Sequence, residues 1–305
     1  MKVLLTGASG LLGRAVAARL SVRKDVELTA VAWSRARPPM GKVDLTDPEA
    51  VGVLFADARP DFVIHAAAER HPELVDEDPS RAWKLNVAAT ETIAKACAAR
   101  GAFLLHISTD YVYDGTNPPY SPDSPVNPLN GYGTMKLEGE GRIASAKCET
   151  AILRLSSLYG SVERLDESSV TALAMMLKKR EPCAVEHWAR RYPLHVDDAA
   201  SGIEKILDAR ASRPEVLEAA RTGAGLPIFL LSGFTARTKY EMLMTMAGIL
   251  GIDASFAKPD PSPPSNPPRP KDCRMDTALI GTLGYKPLVE FETGLAGALA
   301  PFFRT

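Results

Sequence analysis

Residues 3–13 read VLLTGASGLLG, and their pattern decides the fold. Val3 to Leu5 is a short apolar run suited to a buried strand. It breaks at TGASG, where Gly7, Gly10 and Gly13 stand in GxxGxxG spacing. Leu12, Val16 and Leu20 then recur at helical intervals. A strand, a glycine turn and a helix in this order predict a dinucleotide-binding unit, because residues without side chains let backbone N–H groups approach a pyrophosphate at a helix N-terminus. The first interval is one residue longer than in the common GxGxxG fingerprint. The flanking strand and helix supply the context that fingerprint needs.

Outward from this unit, Val26 to Trp33, Asp61 to His65, Ala102 to Ile107 and Ala151 to Leu155 read as strands. Asp47 to Asp57, Arg81 to Arg100 and Tyr132 to Lys147 read as the helices between them. Such alternation predicts an α/β fold with a doubly wound parallel sheet of the Rossmann type. Past Tyr159 the alternation fades. Ser168 to Lys179, His195 to Asp208 and Lys239 to Leu250 carry helical patterns, and Lys258 to Lys271 holds seven of the 24 prolines, so it is expected to be an extended loop. The expected division gives residues 1–157 to a dinucleotide-binding domain, rejoined by about 194–222, while 158–193 and 223–305 form a smaller, discontinuous α/β substrate-side lobe.

Composition narrows the classes. The 305 residues carry 36 Lys plus Arg against 37 Asp plus Glu, a net charge of -1, and 46% are hydrophobic. No basic footprint for nucleic acid and no disordered character follow from these values. Cys97, Cys148, Cys183 and Cys273 show no zinc-ligand spacing, so neither a metal nor a disulfide framework is expected, and a reducing compartment fits. The N-terminus enters a strand directly, without a signal peptide or membrane span. A cytoplasmic protein is the expectation.

The end of the second strand selects between nicotinamide cofactors. An acidic residue there would bind a free ribose 2′-hydroxyl, whereas arginine accommodates a 2′-phosphate. This chain has Trp33, Ser34, Arg35 and Arg37 at that point. NADP(H) is therefore expected in preference to NAD(H), with Arg35 as the main phosphate ligand through its bidentate guanidinium. Asp44 and Leu45, at the end of the next short strand, are placed to flank the adenine. Ala66, Ala67 and Ala68 follow the DFVIH strand and leave room for the cofactor to pass.

Tyr132 and Lys136 are four residues apart on a predicted helix and so share one face. In a reductase the lysine cation, together with the positive ring of the oxidised cofactor, would lower the tyrosine pKa and bind the nicotinamide ribose, and the tyrosine would protonate a carbonyl oxygen as hydride arrives. Thr109, in ISTDYVYDG after the preceding strand, can donate a hydrogen bond to the same oxygen. His65 and His106 end apolar strand runs and read as core histidines. His187, Trp188, Arg190, Arg191 and Tyr192 combine aromatic planes with cations in a loop expected to face the cleft.

TGASGLLG, HAAAE, STDYVYDG and YGTMKLEGE together resemble the extended short-chain dehydrogenase/reductases, and the last two resemble their dTDP-4-dehydrorhamnose reductase branch. The resemblance gives Thr109, Tyr132 and Lys136 the catalytic roles and makes Asp110 a neighbour of substrate. Within the branch, SRARPPMGKVDL, AAERHPELV, DGTNPPY, LYGSVERLDESSVT, HWARRYPLHVDD and TKYEM look like its regulatory beta-subunit offshoot. That likeness implies NADP(H) contacts from Ser9, Gly10, Leu11, Leu12, Arg35, Asp44, Leu45, Ala66, Arg70, Tyr132 and Leu158. It also implies a methionine adenosyltransferase catalytic subunit as partner and a role in modulating S-adenosylmethionine synthesis. The loop's own residues make His187, Trp188 and Arg191 candidate contacts of substrate or partner. The alternative is an active NADPH-dependent reductase of a 4-keto nucleotide sugar. Ser157 stands where rhamnose-pathway reductases usually carry a Trp, which removes an aromatic wall for a sugar. The chain stops at APFFRT, where a longer docking tail is common in beta subunits.

Overall fold

Val3 and Leu5 enter one buried apolar cluster and Leu4 enters another. A strand apolar on both faces must be covered on both, which is the condition of a parallel sheet between helix layers. The computed structural model describes residues 1–223 and 225–303. Six strands come first: β1 (Lys2–Thr6), β2 (Glu27–Ala32), β3 (Gly41–Lys42), β4 (Phe62–His65), β5 (Phe103–Thr109) and β6 (Thr150–Leu155). Five follow: β7 (Leu158–Tyr159), β8 (Cys183–Glu186), β9 (Leu194–His195), β10 (Ile228–Leu231) and β11 (Ala257–Asp260).

The central sheet has seven parallel strands in the order β3-β2-β1-β4-β5-β6-β10. Winding reverses between β1 and β4, and in such sheets ligands bind outside the carboxyl ends of the strands at that crevice. Register brings the exits together: Thr6 lies opposite Val31 on one side and His65 on the other. The turn at Gly7, the segment at Trp33 and the segment at Ala66 therefore leave the sheet at nearly one level.

One face is covered by the helices Leu11–Ser21 and Val196–Ser212, through Leu12, Val16, Leu20, Ile203, Ile206 and Leu207. The other is covered by Pro48–Ala58, Ala89–Arg100 and Gly131–Ala146, through Val51, Leu54, Phe55, Ile93 and Ile143. Local chemistry sets their starts. Asp47 accepts from the Glu49 N–H at 2.9 Å ahead of Pro48, and Asn130 accepts from the Gly133 N–H at 3.0 Å.

Several boundaries differ from expectation. The helix expected over Arg81 to Arg100 is broken by a π turn at Lys84–Ala88, which turns Asn86 toward the segment after β4. There its side-chain amide accepts from the Glu69 N–H at 2.8 Å and donates to the Glu69 carbonyl at 2.9 Å. Ser168 to Lys179 is helical only from Ala174, after a 3-10 turn at Thr171–Leu173. The sheet extends beyond residue 222, because β10, inside the segment expected for the lobe, pairs with β6. The proline-rich segment is not all loop: Lys258 to Asp260 pair with Ala184 to Glu186 in a two-stranded sheet, where Pro259 is tolerated because each strand is an edge.

In the segments expected to form the lobe a separate apolar cluster is buried, in which Val170, Leu173, Leu177 and Val185 meet Met242, Leu243, Met246 and Leu295. No helix among the described residues is long and apolar enough to cross a membrane. The last two residues of the APFFRT ending lie outside the described residues.

Candidate functional site

The glycine turn is built from contacts that admit no side chain at two of its three glycines. Gly7 has φ +70°, and a Cβ there would lie 2.7 Å from the Ala67 nitrogen and 2.8 Å from the Ala66 carbonyl. At Gly13 a Cβ would lie 2.2 Å from the Gly7 carbonyl oxygen, so this residue lets the first helix sit directly on the turn. Gly10 is more open, with the Gly7 oxygen at 3.2 Å as its sole near neighbour. It caps the helix without any side-chain acceptor for the first-turn N–H groups. An anion fits that end, which combines unpaired donors with the positive end of the helix dipole. Leu11 and Leu12 are buried, so they offer a ligand backbone rather than side chains. The Ser9 carbonyl accepts from Arg14 Nη1 at 2.9 Å, which braces the turn from behind.

The residues expected around the adenosine end lie beside this turn. Trp33 is exposed, with Lys42 Nζ 5.0 Å from its ring centroid. Ser34 and Arg37 are exposed too, and Arg37 reaches Glu163 only at 3.8 Å. Arg35 donates to the carboxylate of Glu167, and Arg70 donates to the backbone carbonyl of Glu167. Asp44 and Leu45 follow β3 instead of ending it. Asp44 accepts from the Thr46 N–H at 2.9 Å in a local turn, and Leu45 is buried. Ala66, Ala67 and Ala68 line the exit of β4, and Leu158 begins β7. Glu167 and Arg14 were not singled out in the sequence. Burial of the Glu167 carboxyl works against its charge, yet Arg14, the Glu163 N–H and Arg35 outweigh it and hold the group down to about 2.

At the other end Thr109 closes β5, and Tyr132 and Lys136 share the inner face of the Asn130-capped helix. Thr109 Oγ1 donates to Asp110 at 3.2 Å and accepts from the Tyr111 N–H at 3.2 Å. Burial pushes the Tyr132 phenol above its ordinary range, against the opposing pull of Thr109 and Arg70. Lys136 is not among the groups that act on the Tyr132 phenol here. Lys136 Nζ lies 3.0 Å from His106 Nε2, deep beside β5, and burial lowers it to about 8 while Glu140 opposes the shift. Burial also keeps both strand-end imidazoles neutral. His65 bonds Thr6 Oγ1 at 2.8 Å and Thr90 Oγ1 at 3.0 Å.

Asp110 is buried, and burial raises it to about 7, with Thr109 and the nearby Arg191 acting in the opposite sense. Arg191 is itself buried and pairs with Glu186 at 2.5 Å. Arg191 thus comes near Asp110. Trp188 is half-buried with Lys271 Nζ 5.9 Å from its ring centroid. His187 is engaged elsewhere, its Nδ1 2.8 Å from Thr238 Oγ1 and its ring 5.3 Å from Tyr240. It serves the start of the helix Lys239–Leu250.

The carboxyl ends of the strands thus carry a phenol, an amine and a hydroxyl on one side and guanidinium groups on the other. Comparison with known proteins agrees with this fold. The family described as RmlD substrate binding domain matches residues 1–303. Methionine adenosyltransferase 2 subunit beta of Mus musculus is 39% identical over 303 residues, covering 99% of this chain and 88% of that protein. A dTDP-4-dehydrorhamnose reductase of Mycolicibacterium smegmatis is 27% identical over 305 residues, covering 98% of this chain and 85% of that one. The crystal structure of a dTDP-4-dehydrorhamnose reductase from Clostridium acetobutylicum superposes with a TM-score of 0.81 at 25% identity over 99% of both chains. With its sheet order, its glycine turn and a match along nearly its whole length, the chain belongs to the RmlD substrate binding domain family.

Proposed function

We infer that this chain is a cytoplasmic, NADP(H)-binding regulatory subunit that docks on a methionine adenosyltransferase catalytic subunit and modulates S-adenosylmethionine synthesis. The observation that carries this reading is the 39% identity to a methionine adenosyltransferase beta subunit along 99% of the chain. The cofactor part is supported by the open Gly10 at an uncapped helix start and by Arg35 where a carboxylate would serve NAD(H). The test is calorimetric titration of a methionine adenosyltransferase catalytic subunit with this chain, with and without NADPH. Saturable heat with a defined stoichiometry supports the reading, and no binding under either condition defeats it.

A second reading, an active reductase of a 4-keto nucleotide sugar, is favoured by Tyr132 and Lys136 on one helix and by Thr109 at the end of β5, whose hydroxyl bonds Tyr132. NADPH would supply hydride. Tyr132, its proton held firmly by burial, would give that proton to the substrate oxygen, Thr109 would orient the same oxygen, and Lys136 would hold the ribose. NADPH absorbance should then fall on adding a dTDP-4-keto-6-deoxy sugar, and Tyr132→Phe should abolish the fall. A wild-type chain without turnover on several nucleotide sugars rules this reading out.

A further inference from the structure

Three guanidinium groups from three different crossovers meet one glutamate. Arg14 belongs to the helix after the glycine turn, Arg35 to the segment after β2, and Arg70 to the segment after β4. Glu167 approaches from the opposite side, on the 3-10 turn Leu165–Glu167 in the strap that follows β7. Its Oε1 accepts from Arg14 Nη1 at 3.1 Å and from Arg35 Nη1. Its Oε2 accepts from Arg14 Nη2 at 2.7 Å and from the Glu163 N–H at 2.8 Å. The four acceptor directions of a carboxylate are thereby all used. The Glu167 side chain is 3% exposed, whereas that of Arg35 remains 40% exposed.

This is more construction than holding a surface strap requires. Burying a carboxylate is costly unless it is fully paired, and here the pairing fixes the orientation of the arginine side chains. The pair Arg14–Glu167 is bidentate and ties the carboxylate to the first helix. Arg35 then hangs from a carboxylate that cannot move, and it spends one of its five N–H donors on it. Charge points the same way. Arg14 and Arg35 against the Glu167 carboxylate leave one positive charge beside the glycine turn, and a monoester phosphate carries about -1.5 to -2 near neutral pH.

We propose that Glu167 is a positioning residue for cofactor discrimination: by clamping Arg35 next to Arg14, it presets the guanidinium that receives the 2′-phosphate of NADP(H) without touching the cofactor itself. The proposal rests on the NADP(H) reading above. A flexible arginine must lose side-chain freedom when it binds a phosphate, and a preset one has already done so, which makes the gain specific to the cofactor that carries the extra phosphate.

The test is fluorescence titration of the full chain with NADPH and with NADH, for the wild type, Arg35→Ala, Glu167→Gln and Glu167→Asp. Thermal melts in parallel establish that each variant is folded. The expected result is wild-type preference for NADPH and loss of that preference in Arg35→Ala. In Glu167→Gln, NADPH binding should weaken about tenfold, the scale of one charge-assisted hydrogen bond, while NADH changes by less than about threefold. Glu167→Asp keeps the charge but not the reach and should fall between, which keeps the test decisive if the glutamine variant does not fold. Equal weakening of both cofactors means that Glu167 only supports the strap and overturns the proposal. Tighter NADPH binding in Glu167→Gln, from a carboxylate that competes with the phosphate, overturns it as well. A wild type without NADPH preference instead removes the cofactor reading beneath it.

Discussion

Replacing Glu140 by alanine removes the centre of a buried polar network that joins the helix of Tyr132 and Lys136 to β5 and β6. Glu140 Oε2 accepts from Arg154 Nη2 at 2.6 Å, and its Oε1 accepts from Arg154 Nε at 3.1 Å and from the Ser108 hydroxyl. Arg154 also donates to the Tyr113 hydroxyl at 2.8 Å. The two charged side chains are 4% and 6% exposed, so water cannot replace a lost partner. Without the carboxylate, a buried guanidinium retains only the phenol. Breaking such a pair from one side costs about 3–5 kcal/mol, against about 1 kcal/mol or less for a surface pair. At about 2 °C per kcal/mol for a chain of this size, Tm should fall by about 6–10 °C. Removing both charges, in Glu140→Leu with Arg154→Met, should recover much of the loss, because the penalty is the orphaned charge and not the missing attraction. Urea denaturation of the wild type, Glu140→Ala, Glu140→Leu, Arg154→Met and the double variant measures the loss and the coupling. A Glu140→Ala loss below about 1 kcal/mol, or a double variant as unstable as the summed singles, refutes the reasoning.

The remaining expectations concern the turn and the titrating groups. Gly13→Ala places a methyl 2.2 Å from the Gly7 carbonyl oxygen, so it should cost about 1–3 kcal/mol of stability and weaken NADPH and NADH alike in titration. Asp110 is raised to about 7 in the folded chain from 3.8. The folded state then holds a proton that the unfolded chain releases, so stability falls as pH climbs from about 4 to 7. Asp110→Asn should remove that fall and gain at most about 4 kcal/mol at pH 8, but little at pH 4, in denaturation series at the two pH values. Lys136, lowered to about 8 from 10.5, behaves oppositely. Between those values the unfolded chain binds the extra proton, so stability should rise with pH there, and Lys136→Met should flatten the rise.

Local pattern made much of the fold legible. β1, the glycine turn and the first helix could be read because apolar periodicity and glycine spacing lie within a few residues of one another. The Tyr132 and Lys136 pair could be read because helical geometry places residues four apart on one face. What was not legible depends on register and distance. Lys136 meets His106 only because β5 passes under its helix, and no local rule announces that contact. Glu167 reads as one more acid in an exposed stretch, since Arg14 and Arg35 are 153 and 132 residues away in sequence. Asn86 hides in an Ala-rich helix, and only the π turn gives it a task. β11 escaped notice because prolines argue against a strand unless an edge is free to hold them.

The path of the chain at β10 also bears on how the molecule comes apart. The polypeptide leaves the sheet after β6 and returns for the helix Val196–Ser212 and β10. It then enters the lobe at the helix Lys239–Leu250 and comes back once more where Ile280, Leu283 and Tyr285 pack beneath the sheet. It ends in the lobe with the helix Phe291–Leu299. The two parts are sewn together by repeated crossings instead of joined by one hinge. A single protease nick between them frees neither part, no simple truncation yields the lobe alone, and the sheet and the lobe should melt as one cooperative unit.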